Sequence, residues 1–86
     1  KMVTFKYVIK DELGIHARPA GLLVKEAGKL GSKITIEKGG KKGDAKKIFG
    51  LMGLGVKQND EITVTVEGDT EEADADVIKT FLENNL

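Results

Sequence analysis

Met2-Val3-Thr4-Phe5-Lys6-Tyr7-Val8-Ile9 and Ala17-Arg18-Pro19-Ala20-Gly21-Leu22-Leu23-Val24-Lys25-Glu26-Ala27-Gly28-Lys29-Leu30 obey different periods. The fold follows from that change. In the first stretch Val3, Phe5, Tyr7 and Ile9 alternate with Thr4 and Lys6, the pattern of a half-buried strand. In the second, Ala20, Leu23, Val24, Ala27 and Leu30 recur at helical spacing. The polar run Asp11–Gly14 separates them. Gly28 lies near the expected helix end, and Gly31 is a candidate cap. Gly21 costs helix stability, roughly 1 kcal/mol. It is read either as a surface of close approach or as plain tolerance.

The same two periods divide the rest of the chain. Lys33–Lys38 alternates around Ile34 and Ile36, and Gly39-Gly40 is a hairpin turn signal leading into a short strand over Lys41–Asp44. Lys47–Met52 is predicted to make one or two helical turns. Glu61–Glu67 places Ile62, Val64 and Val66 on one side of a fourth strand. Asp69 with Glu72 is predicted to cap a last helix that buries Ala73, Val77, Ile78, Phe81 and Leu82. The predicted order is β-α-β-β-α-β-α. One apolar face per strand and one apolar stripe per helix predict a two-layer α+β sandwich.

Composition narrows the function classes. Eighty-six residues suit one small domain, expected over residues 2–86, with Met2 read as the native start and Lys1 as a remnant before it. There is no cysteine, hence no disulfide framework and no thiolate metal site. No apolar run is long enough to span a membrane. A cytoplasmic protein is expected. Net charge is zero but polarised: residues 1–57 carry a surplus of eight positive charges and residues 58–86 a surplus of eight negative ones. The lysines are dispersed with little aromatic interleaving, so acidic protein partners are a better expectation than nucleic acid.

Gly14-Ile15-His16-Ala17-Arg18-Pro19-Ala20 holds the sole histidine, arginine and proline of the chain. The histidine stands where the loop becomes a helix, and proline suits only the first helical turn. A helix start presents free N–H groups and the positive end of the macrodipole, an anion site. A neutral imidazole beside it can accept a phosphoryl group. Composition alone would favour a structural or merely exposed histidine. Metal ligation would need remote carboxylates, and no metal site is expected. Ser32, the single serine, falls in a predicted turn and offers no hydrolase triad. Gly39-Gly40-Lys41-Lys42-Gly43 lacks the spacing of a nucleotide loop.

The Gly14–Ala20 block resembles the active-site sequence of the HPr family, the histidine-containing phosphocarriers of the bacterial sugar phosphotransferase system. A second block, Ala45-Lys46-Lys47-Ile48-Phe49-Gly50-Leu51-Met52-Gly53-Leu54-Gly55, resembles another part of the same family, and length and element order agree. The resemblance implies a four-stranded antiparallel sheet with three helices on one face. It implies that His16 takes phosphate from enzyme I through Nδ1 as a phosphohistidine and passes it to a sugar-specific IIA domain. Arg18 would stabilise the phosphate, with backbone N–H groups of Ala17 and Arg18 as donors. No bound cofactor and a monomer are implied. The docking surface would comprise Ala20, Lys25, Lys46, Lys47, Ile48, Phe49 and Met52, an apolar patch with a basic rim.

Lys47 departs from the family, where many members carry a serine that a dedicated kinase phosphorylates. Lysine also caps a helix poorly and adds charge of the wrong sign at its start. A regulatory paralogue acting mainly as a protein-binding module is the alternative expectation.

Overall fold

A computed structural model describes residues 2–86. Lys1, read above as a remnant, lies outside the described residues. The elements are β1 (Met2–Val8), α1 (Ala17–Gly28), β2 (Lys33–Lys38), β3 (Lys41–Asp44), α2 (Ile48–Met52), β4 (Glu61–Glu67) and α3 (Glu71–Asn85). The strands form one antiparallel sheet in the order β1-β4-β2-β3.

Register explains why the alternation matters. Phe5 stands opposite Val64, Val64 opposite Ile36, and Ile36 opposite Gly43. One row of inward residues therefore crosses all four strands. A second row runs Val3, Val66 and Ile34. These residues share one hydrophobic cluster with Leu23, Ala27, Leu51, Ile78 and Leu82 of the helices. The opposite face presents Thr4, Lys6, Thr35, Thr63 and Thr65. A one-residue slip would send each apolar side chain to that outer face. Gly39 and Gly40 both take positive φ, as the tight β2–β3 turn requires.

Gly43 ends the inward row for a steric reason. A Cβ there would come within 2.6 Å of the Gly50 carbonyl oxygen, so α2 lies backbone-to-backbone on β3. That close seat buries Leu51 and turns Phe49 outward.

Three expectations about helix ends and faces need correction. The α1 cap is Lys29 in right-handed conformation, and Gly31 does not cap the helix. Thr70, not Asp69, is the N-cap of α3, and its hydroxyl donates to Asp74 Oδ2 at 2.9 Å instead of closing a capping box. The buried face of α3 is Asp74, Ala75, Ile78, Phe81 and Leu82, while Ala73 and Val77 face solvent. The shift arises because a carboxylate occupies the buried stripe. Asp74 Oδ2 accepts from the Ser32 hydroxyl at 2.6 Å and the Ser32 amide at 3.2 Å, and that satisfaction permits its burial.

Candidate functional site

Gly14 sets the approach to the site. It adopts φ +68°, and a Cβ would collide with the Val56 carbonyl oxygen and come within 2.7 Å of Lys57 Cα. Only glycine allows the loop to lie this close. Ile15 then donates its amide to the same Val56 carbonyl at 3.1 Å and buries its side chain. His16 emerges next, in extended conformation, as the N-cap of α1.

As a cap, His16 leaves the helix start open. Its side chain makes no capping bond, and no acidic residue sits in the first turn. Its carbonyl accepts the Ala20 amide at 3.0 Å. Pro19 has no N–H to offer. The amides of Ala17 and Arg18 find no partner among the described residues. Two free donors and the positive end of a 12-residue helix thus flank the ring.

The His16 ring opens into a cleft of about 230 Å³. Pro19 and Leu22 form its apolar side, and Asp11, Arg18, Asn84 and Asn85 its polar side. Arg18 is exposed and makes no ion pair among the described residues, so its guanidinium is available to an anion. Asp11 Oδ1 stands 3.7 Å from His16 Nε2. The site unites an acceptor nitrogen, two backbone donors and a planar cation, an arrangement suited to a tetrahedral anion.

Sequence reading picked out His16, Ala17 and Arg18, which the structure brings together. It missed Asp11, Asn84 and Asn85. Asp11 carries a local signal, an Asx turn in which its carboxylate accepts the Leu13 amide at 2.8 Å. The asparagines arrive from the far end of α3, and only tertiary structure places them.

The docking expectations separate into exposed and buried residues. Phe49 is 86% exposed, Met52 and Lys25 are also exposed, and Ile48 is half-buried. Ile48 Cδ1 would lie 3.9 Å from a Cβ at Gly21, an ordinary contact distance, so α1 tolerates this glycine without requiring it. Ala20 is fully buried and is removed from the docking set: an inward position on α1 has no surface to offer. Lys46 is tied down, donating Nζ to the Leu30 carbonyl at 2.8 Å. Lys47 is the exposed N-cap of α2 and makes no side-chain capping bond.

Comparison with known proteins bears on these features. The family model of the PTS HPr component phosphorylation site matches residues 3–84. Phosphocarrier protein HPr of Mycoplasma pneumoniae is 44% identical over 85 residues, covering 98% of this chain and 97% of its own. The solved structure of a mycoplasma histidine-containing phosphocarrier protein superposes with a TM-score of 0.92 at 36% identity, over 95% of this chain and 93% of that one. Crh, a catabolite-repression protein of Bacillus subtilis whose crystal structure is a domain-swapped dimer, has a TM-score of 0.78 at 34% identity. That match covers 98% of this chain and 97% of Crh.

Proposed function

We infer, because the chain belongs to the HPr family of phosphocarriers in the phosphotransferase system, that His16 is the residue that carries its phosphoryl group. The protein is a relay, not a turnover enzyme, and it serves sugar transport through that system. The observation that carries the His16 reading is the pair of unpartnered amides, Ala17 and Arg18, beside an accessible ring and a free guanidinium.

The step follows from that layout. The lone pair of Nδ1 attacks phosphorus of phospho-enzyme I, the donor's P–N bond breaks, and the new N–P bond forms on His16. The Ala17 and Arg18 amides receive phosphate oxygens, and the Arg18 guanidinium balances their charge. Delivery to an IIA domain runs the same step in reverse on a new acceptor nucleophile. Residues 2–86 act as one cytoplasmic domain and as a monomer in this reading. Incubation with phosphoenolpyruvate and enzyme I, followed by mapping of the phosphate, tests it. Label on another residue would refute His16.

Arg18→Ala should fold normally and slow phosphoryl exchange roughly tenfold, since one charged donor to the transition state is lost. Rapid-quench rates with enzyme I and with an IIA domain check this. Unchanged rates with both would remove Arg18 from the mechanism.

Docking is assigned to Phe49, Met52 and Ile48 on α2, with Lys25 and Lys47 as steering charges. Phe49 contributes little to the core, so Phe49→Ala should leave stability within about 0.5 kcal/mol of wild type. Its affinity for enzyme I should fall about tenfold, as for a truncated interface anchor. Calorimetric titration decides; undiminished affinity would relocate the surface.

Lys47 favours one second reading, a regulatory paralogue that works by binding. Restoration of sugar phosphorylation in cells lacking HPr separates the two. Serine-directed regulation should be absent in either case. Position 47 has no hydroxyl, and Ser32 is buried with its hydroxyl donated to Asp74. HPr kinase with ATP should leave the chain unlabelled by mass spectrometry. A phosphate at Ser32 or a threonine would overturn this.

A further inference from the structure

Asp11 has a geometry that the phosphoryl step does not by itself require. Its Oδ1 accepts the Leu13 amide at 2.8 Å, which locks the carboxylate within its turn. The Leu86 carbonyl oxygen accepts the amides of Lys10 at 2.6 Å and Asp11 at 2.9 Å, which pins the same backbone to the end of α3. The locked Oδ1 is the atom that faces His16 Nε2 at 3.7 Å. The ring makes no hydrogen bond among the described residues, so this is the one directional influence on it. The other polar groups lining the cleft are Arg18 and the amides Asn84 and Asn85, and none of them is a second anion.

We propose that Asp11 is a positioning residue that holds the proton on His16 Nε2 throughout the phosphoryl cycle, keeping the Nδ1 lone pair free to accept the group. This inference rests on His16 as the acceptor. The chemistry balances without any outside proton. Attack by Nδ1 leaves a ring that carries its original Nε2–H and a new positive charge, and the fixed carboxylate faces that charge. The contact is at ion-pair distance in the free protein and gains strength as the ring charge develops. When the N–P bond breaks again, the ring departs as neutral imidazole, because Nε2 has kept its proton. A ring that had lost the Nε2 proton would have to leave as an imidazolate, a far poorer leaving group.

The test uses Asp11→Asn, which retains an oxygen for the Leu13 amide and removes the charge. Long-range proton–nitrogen correlation of the His16 ring in the unphosphorylated protein at pH 8 reads the tautomer directly. The ratio of the Nε2–H form to the Nδ1–H form should be about fivefold higher in wild type than in D11N. Once phosphorylated, D11N should transfer to an IIA domain about fivefold more slowly than wild type at pH 8. Asp11→Glu should recover part of the rate at pH 8. If asparagine disturbs the turn, seen as a displaced Leu13 amide resonance, Asp11→Ser keeps an acceptor there and reads the same loss of charge. An unchanged tautomer ratio overturns the proposal, and so does a changed ratio with unaltered transfer at pH 8. Wild type that takes no phosphate on His16 would sink the acceptor reading itself. Wild type that is labelled while D11N matches it throughout would sink only the role of Asp11.

Discussion

His16→Ala should fold as wild type does and accept no phosphoryl group. The ring is half-exposed, makes no capping bond, and among the described residues has one ion-pair contact, with Asp11 at 3.7 Å. Its removal therefore costs the fold little, within about 0.5 kcal/mol. The extended conformation at the start of α1 is available to alanine, and the Ala20 amide still finds the residue 16 carbonyl. The chemical effect is total, because no second imidazole exists and Ala17 and Arg18 only bind the group in transit. Intact-mass measurement after treatment with phosphoenolpyruvate and enzyme I checks it. An alanine variant labelled at wild-type stoichiometry would end the assignment of His16.

Strands β1, β2 and β4 and helices α1 and α3 were legible in the sequence because each presents a period, whereas β3 followed from the turn signal before it. Val3, Phe5 and Tyr7 alternate through β1, and Ile62, Val64 and Val66 through β4, with polar residues between them. The hairpin was legible because two consecutive glycines permit a turn of positive φ. The core of the site was legible for a chemical reason: one histidine, one arginine and one proline share four residues at a period change. The α3 face was misread because Asp74 looks like a solvated residue until Ser32, 42 positions away, supplies its donors. Ala73 and Val77 then fill the apolar pattern in the reading but not in the molecule. Ala20 was misplaced by proximity, since nearness to His16 in the chain says nothing about which side of α1 a residue occupies. Asn84 and Asn85 carry no local signal at all. Their place beside His16 depends on α3 running back over the sheet to the start of α1.

Asp74→Ala should be among the most destabilising substitutions in the protein. Asp74 is buried, and its Oδ2 accepts from the Ser32 hydroxyl, the Ser32 amide and the Thr70 hydroxyl. Truncation leaves the Ser32 donors without a partner where water is excluded. Gly68 packs its backbone against that site: a Cβ there would lie 2.8 Å from Ser32 Oγ, so a larger residue at 68 would press on the serine. Loss of a buried, charge-assisted network of this kind costs about 3 kcal/mol. The pH dependence has a definite sign. The Ser32 hydroxyl above all, then the Thr70 hydroxyl, the Ser32 amide and the charge of Lys46, hold the Asp74 carboxyl below the usual carboxylate range, against burial, which raises it. A lowered native pKa means that the unfolded chain binds more protons in acid. The stabilisation is therefore present in full above the unfolded value of about 3.9 and is lost as pH falls through the native value. Asp60 adds in the same direction, held down by the Lys57 amide and by Lys38. Wild type should thus lose stability steeply below about pH 4. Asp74→Asn keeps a neutral acceptor and should be less stable than wild type at pH 7, with the gap narrowing as the pH approaches 2. Urea unfolding midpoints measured from pH 2 to pH 7 report both slopes. A gap between wild type and D74N that stays constant across that range would show that the charge on Asp74 contributes nothing to holding α3 against the start of β2.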